Sequence, residues 1–396
     1  MPSEINLSLV NNTALTQAVN IMSTIPPQGF ANTSNDLYEY DLSTESFSNL
    51  ASLSILIAVS PSPTFIAYNA TIESSDISGV VSALNSLNKG IFLNNGTTVY
   101  VTGSDLIYGN LVINQSTSSS IILGTTGINP EGITIDAFGN IYTANLGSNN
   151  VSKITPYGVS TIFGTTGVNP SGITIDSSGN IYTSNQGSNN VSKITPLGVS
   201  TILGTTGSTP YAITIDSSGN IYTGNFSSNN VSKITPLGVS TILGTTGINP
   251  QGITIDASGN IYTANYGSNN VSKITPLGVS TILGTTGNSP YGITIDSSGN
   301  IYTPNLNSDD VSKITPLGVS TILGTAGVDP YGITIDSSGN IYTANNGSDN
   351  VSKITPLGVS TLFGTTGVNP SQITIDNSGN IYTSNQASDN VSKITP

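Results

Sequence analysis

From Ile133 onward the chain alternates short runs of β-branched residues with polar turns, and the alternation is periodic. Ile133-Thr134-Ile135-Asp136 opens a unit that recurs at 173, 213, 253, 293, 333 and 373, seven copies at a constant step of 40 residues. In the copy that begins at Gly252 the apolar runs are ITID, NIYTAN, VSKIT and VSTILG, bounded by ASGN, GSNN, PLG and TTGNSP. Short runs rich in Ile, Val and Thr, bounded by Gly, Asn, Ser and Pro, are the pattern of strands closed by tight turns. The apolar spacing of three and four that a helix would need is absent from the unit. Four short strands in every 40 residues predict the blades of a β-propeller, in which each repeat buries its faces against its neighbours. A β-solenoid with two turns per unit would also suit identical stacked repeats, but it would need capping ends.

The two ends of the repeat favour the propeller. Val391–Pro396 is a VSKITP run with no outer-strand run after it, whereas Ser119–Gly124 is an outer-strand run, SSIILG, with no VSKITP before it. The frame is therefore staggered by one strand. Residues 119–124 are expected to supply the fourth strand of the last blade, which closes the ring and removes an open edge. The predicted fold is mainly β, a seven-bladed propeller over 119–396 preceded by a small α+β domain over 1–118.

The first 118 residues do not repeat. Strand patterns occur at 38–44, 53–60, 64–72 and 108–113, and IFLNNGTTVYV reads as a hairpin turning at Asn94-Asn95-Gly96. Residues 76–87 read as a short amphipathic helix capped by Ser75 or Asp76.

Composition narrows the function. The net charge is −13 and only eight cations, all Lys, are present, so no basic surface for nucleic acid is expected. The chain has no Arg, His, Cys or Trp, which removes disulfides, thiol nucleophiles and imidazole chemistry. No run reaches the roughly 18 apolar residues of a membrane helix, and the N-terminal residues carry no secretory pattern. A Ser/Thr/Asn-rich, charge-poor surface without a secretion signal suits a virion component, assembled inside a cell and exposed later.

The unit PxGITIDxxGNIYTAN followed by NxVxKITPxG resembles the NHL repeat and the related propellers of streptogramin-lyase type, over about 119–396. The resemblance implies a propeller with ITID innermost, but no single function, because such propellers include protein, RNA and small-molecule binders as well as enzymes. Two departures stand out. The family commonly has Asp where this chain has Asn145 and its six equivalents, and the lyases depend on a catalytic His that this chain lacks. Residues 1–118 resemble, loosely, the attachment modules of phage structural proteins.

Among recurrent residues, Asp136 and its equivalents precede xxGlyAsn and are expected to fix a hairpin rather than to hold a metal as a ring of carboxylates. Lys153 and its equivalents read as solvated third-strand positions. Tyr142 and its equivalents are expected to pack between blades with their hydroxyls reaching water or backbone. Sequons such as Asn150, Asn190 and Asn390 follow from repetition in an Asn-rich chain.

The copies differ mainly at two places. One follows the Pro before ITID: Glu131, Ser171, Tyr211, Gln251, Tyr291, Tyr331 and Ser371. The other follows the second strand and includes Gln186, Phe226, Tyr266 and Asn346. In an up-and-down blade both connections emerge on one face, so this variation predicts a recognition rim of exposed aromatics and amides. Tyr211, Tyr291, Tyr331, Phe226, Tyr266, Gln251, Gln186 and Asn346 are its candidate ligand-binding residues. Neither a catalytic residue, nor a metal site, nor a cofactor is expected. The carboxylates Glu131, Asp309, Asp310, Asp329, Asp349 and Asp389 fall at loops with no recognisable constellation. The expected function is a virion spike or fibre, or an exposed adhesion protein, and not an enzyme. Residues 1–118 would anchor it to a particle or surface scaffold, with homo-oligomerisation an option, and the propeller would bind a host glycan or protein. The alternatives are a cell-surface or scaffolding propeller of a bacterium or archaeon, and a lyase or lactonase on the same fold.

Overall fold

In the computed structural model the described residues are seven strand segments within the first 117 residues and the whole of 118–396. Contacts divide the chain into two units, and Ser118–Thr395 forms the second. In the first unit the strands Ile5–Leu9, Leu37–Tyr38, Ala51–Val59, Ile66–Glu73, Ile91–Asn94, Thr98–Val101 and Ile107–Asn114 build one sheet. Ile66–Glu73 pairs in parallel with Ile107–Asn114, and the other pairings are antiparallel. The helix expected at 76–87 lies outside the described residues.

The second unit is a ring of seven four-stranded antiparallel sheets. The first blade runs from the innermost strand Pro130–Ile135 through Ile141–Asn145 and Asn150–Ile154 to the outermost Ser160–Thr165. Each innermost strand touches that of the next blade, and Pro370–Ile375 of the seventh blade returns to Pro130–Ile135. The stagger in the repeat is resolved as predicted. Ser119–Thr125 pairs with Asn390–Thr395 as the fourth strand of the seventh blade, with Ile121 opposite Lys393 and Ser120 opposite Ile394.

The second strands are buried along their whole length, because both faces of a blade are covered by neighbours. Tyr182 and Val191 of one blade pack with Ile213, Ile221 and Ile234 of the next. The same contact is repeated at the seam, where Leu123, Tyr382 and Val391 meet Ile133, Ile141 and Ile154. Apolar area buried between blades, about 25 cal/mol per Å², is the main favourable term holding the ring.

Polar groups fix the turns around this core. Asp176 Oδ1 accepts from the amides of Ser178 and Asn180, and its Oδ2 accepts from Asn180 Nδ2 and the Tyr182 hydroxyl at 2.9 Å. Burial would raise the Asp176 carboxyl, but these bonds prevail and hold it below its ordinary value. Gly179 sits at φ +81°, which only glycine adopts freely. The turn-fixing role expected of this Asp therefore holds in every blade, while the Tyr hydroxyls reach the carboxylate rather than water or backbone. Opposite each of these tyrosines lies a Lys, with Lys193 Nζ 5.7 Å from the Tyr182 ring centre. It is partly buried over that ring, not simply solvated.

The asparagine that ends each second strand is fully buried. Asn185 Nδ2 donates to Asn190 Oδ1 and Ser192 Oγ at 2.7 and 2.9 Å, and Asn185 Oδ1 accepts from Thr183 Oγ1. In blade five the partner is the carboxylate of Asp310, which only accepts, so an aspartate in place of Asn305 would meet a like charge. The sequon residue Asn190 is itself drawn into the network. Replacing Asn225, the equivalent in the third blade, by Ala is expected to destabilise the propeller by about 2 kcal/mol, since it strands several buried polar groups. Thermal denaturation of the full chain measures it.

Candidate functional site

The residue after each pre-strand Pro is the second of an innermost strand, or in blade five lies just ahead of it, so the ring itself brings these seven positions together. Tyr211 belongs to the third blade and Tyr291 to the fifth, yet their hydroxyl oxygens lie 2.5 Å apart. The hydroxyls of Tyr211 and of Ser171, from the second blade, also reach the carboxyl of Glu131 in the first blade. Side chains from non-adjacent blades meet only across the axis. The centre is therefore an axial cluster at one mouth of the ring.

Glu131 is 2 % exposed and is the one buried ionisable carboxylate among the described residues. Burial pushes its carboxyl from an ordinary 4.5 up to about 7, against the smaller lowering effect of the Tyr211 and Ser171 hydroxyls. Those hydroxyls stand near, but neither completes a hydrogen bond of ordinary geometry to Oε1 or Oε2. The phenols of Tyr211 and Tyr291 are pushed well above their usual range, first by burial and then by the charge of Glu131.

The two sides of the mouth differ in chemistry. Blades three to six supply aromatic rings. Tyr291 stacks on Tyr331 with centroids 4.3 Å apart, and Tyr211 and Tyr266 meet Tyr291 edge-on at 5.9 and 6.5 Å. Phe226 lies 6.3 Å from Tyr211. Blades seven, one and two supply Ser371, Glu131 and Ser171, all buried.

The expected rim of exposed aromatics is corrected by this geometry. Both variable connections do emerge on one face, joined where Leu146 N donates to Asn129 O. However, Tyr291 is only 7 % exposed, and Tyr211, Tyr331, Phe226 and Tyr266 are half-buried. The residue after Pro lies on the innermost strand, so its side chain turns to the axis rather than outward. Of the amides, Gln251 Oε1 and Gln186 Nε2 are buried without a partner, whereas Asn346 Nδ2 is bound to Pro370 O.

The loop carboxylates separate into two kinds. Asp309, Asp349 and Asp389 each accept a backbone amide from the connection into the next blade, and Asp389 does so across the seam, from Asn129 at 2.7 Å. Asp310 accepts from Asn305 Nδ2. Glu131 accepts no such hydrogen bond and, unlike the others, is buried, and its grouping with them concealed the centre. One signal was present: it is the only charged residue among the seven after-Pro positions. A second was Pro304, which replaces Ala, Ser or Gly in the second strand of blade five. It has no amide to give, so the innermost strand there shrinks to Thr294–Ile295, and Tyr291 is held by its own N–H to Pro304 O. Among the described residues no three Asp, Glu, His or Cys side chains converge, and each ITID carboxylate is engaged in its own turn.

The seven sheets closed into a ring, with a buried acid among phenols at the axis, place the protein among the closed β-propellers. Residues 107–346 match the virginiamycin B lyase family, and the chain belongs to that family. It is similar in fold to virginiamycin B lyase from Staphylococcus aureus, with 19 % identity, 71 % of this chain and 99 % of that one covered and a TM-score of 0.62. It is also similar to a streptogramin B lyase, at 18 % identity over 70 % and 97 % of the two chains and a TM-score of 0.63. Hydrazine synthase of Kuenenia stuttgartiensis shares the fold at 17 % identity, 69 % and 97 % coverage and a TM-score of 0.59. Among curated proteins none matches the chain in sequence. The family is that of an enzyme, which overturns the expectation of a non-enzymatic protein. That expectation followed from the absence of His and Cys and from reading Glu131 as one of several loop carboxylates without a constellation.

Proposed function

We propose that the protein is a lyase whose proton-transfer group is Glu131. A lyase breaks a bond by elimination. One group must take a proton from carbon, and another must stabilise the charge that develops on the departing or enolising oxygen. A carboxyl pushed up to about 7 is divided between its two forms near neutrality, which suits a base that must also release its proton. The Tyr211 and Tyr291 hydroxyls meet beside it and can donate to an oxygen as charge develops there. A catalytically inactive histidine-to-alanine variant of the S. aureus enzyme has been solved with quinupristin. This chain has no His, so the proton must move through a different residue type. The observation that carries the reading is the convergence of Glu131, Tyr211 and Tyr291 from blades one, three and five.

The test is incubation of the full chain with quinupristin or virginiamycin B and mass spectrometry of the products. Elimination opens a cyclic substrate to an isomer of unchanged mass, recognised by its chromatographic shift and fragmentation. Addition of one water would make the protein a hydrolase, and absence of turnover by folded protein overturns the reading. The anchoring role of residues 1–118 on a particle or surface remains a separate proposal, supported by composition and layout. Loss of particle association on deleting those residues tests it.

A further inference from the structure

Glu131 Oε1 and Oε2 and Gln251 Oε1 are buried with no hydrogen-bond partner, and so is the Ser371 hydroxyl oxygen. A buried carboxylate without a partner is costly, and the usual remedy is a cation that also donates hydrogen bonds. No internal cation among the described residues supplies it. Each propeller Lys, from Lys153 to Lys393, lies over the tyrosine opposite it in its own blade, at 5.6 to 5.9 Å. The remaining walls are aromatic: Tyr211, Tyr291, Tyr331 and Tyr266. Ring faces attract an organic cation by their quadrupole, and most strongly where water is excluded.

We propose that the axial mouth binds the ammonium group of an amine-bearing ligand, with the Glu131 carboxylate as its counter-ion and the tyrosine rings as its walls. This names the substrate class of the site assigned above and rests on that assignment for its catalytic meaning, though not for binding. An ammonium donates to the Glu131 oxygens and brings the missing positive charge. A neutral aromatic ligand would occupy the ring faces and leave the carboxylate charge uncompensated. A sugar would donate hydrogen bonds but leave the charge uncompensated.

Benzylammonium and benzyl alcohol share one ring and differ in charge, so calorimetric titration of the full chain with each isolates the cation. Benzylammonium is expected to bind at least about ten-fold more tightly at about pH 8, in line with a buried ion pair supported by ring faces. Glu131→Gln should erase the difference. Tyr331→Leu should weaken benzylammonium several-fold in a protein that still folds. Affinity should rise about thirty-fold from about pH 5.5 to about pH 8, as the Glu131 carboxyl ionises. The other ionisable groups facing it are Tyr211, Tyr291, Tyr331 and Tyr266, with Asp329 beside Tyr331. Equal affinity for the two probes, no binding of either, or a preference that survives Glu131→Gln overturns the proposal. Turnover of neutral substrates without benzylammonium binding also overturns it and leaves the lyase assignment standing. Charge-dependent binding without lyase activity supports it and removes that assignment.

Discussion

Glu131→Gln is expected to lower elimination by about a hundred- to ten-thousand-fold, the usual contribution of a positioned proton-transfer group. Gln keeps the shape and cannot take the proton. The wild-type rate should rise with pH through about 7 as the carboxyl ionises, and the residual rate of the variant should lose that limb. The same substitution carries a stability signature of opposite direction. Because the folded carboxyl titrates higher than it does in the unfolded chain, the fold holds its proton more firmly, and stability falls as pH rises from about 4.5 to about 7. That interval corresponds to about 3 kcal/mol. The variant should lack this slope and melt several degrees higher than the wild type above pH 7. Loss of rate together with gain of stability separates a reactive group from a structural one, since a structural carboxylate would lose both. A variant that keeps its activity would end the assignment.

Leu123→Asp is expected to unfold the propeller or destabilise it by about 4 kcal/mol or more, because it buries a charge with no partner. The informative control is Leu203→Asp, the same position in the second blade. Leu203 lies on an outer strand that follows directly from its blade partner along the chain. Leu123 lies on a strand whose partner, Asn390–Thr395, is more than 260 residues away in sequence. Leu123 also bridges Ile133 and Ile154 of the first blade to Tyr382 and Val391 of the seventh. The seam substitution should therefore open the ring cooperatively and expose two strand edges, with aggregation on heating. The internal one should loosen a single outer strand. Equal effects, read by thermal denaturation and light scattering, would show that the seam carries no special share of the stability.

The order of strands, the number of blades and the partner of the closing strand were all legible in the chain itself. Each is set by local chemistry repeated at a fixed step: β-branched runs, an Asp-x-x-Gly-Asn turn, and one strand missing at one end and surplus at the other. What lay outside that reading was direction across the ring. Glu131, Tyr211 and Tyr291 stand 80 residues apart or in multiples of that, and each looks like an ordinary variation at the end of a turn. Only closure places their strands around one axis, where side chains from blades one, three and five are forced into the same small volume. Burial there, absent from any local pattern, turns an ordinary glutamate into a group poised near neutrality. The sequence determined the ring because its rules are short-range and repeated seven times. The buried axial cluster was decided by the tertiary structure, because desolvation depends on what lies across the axis.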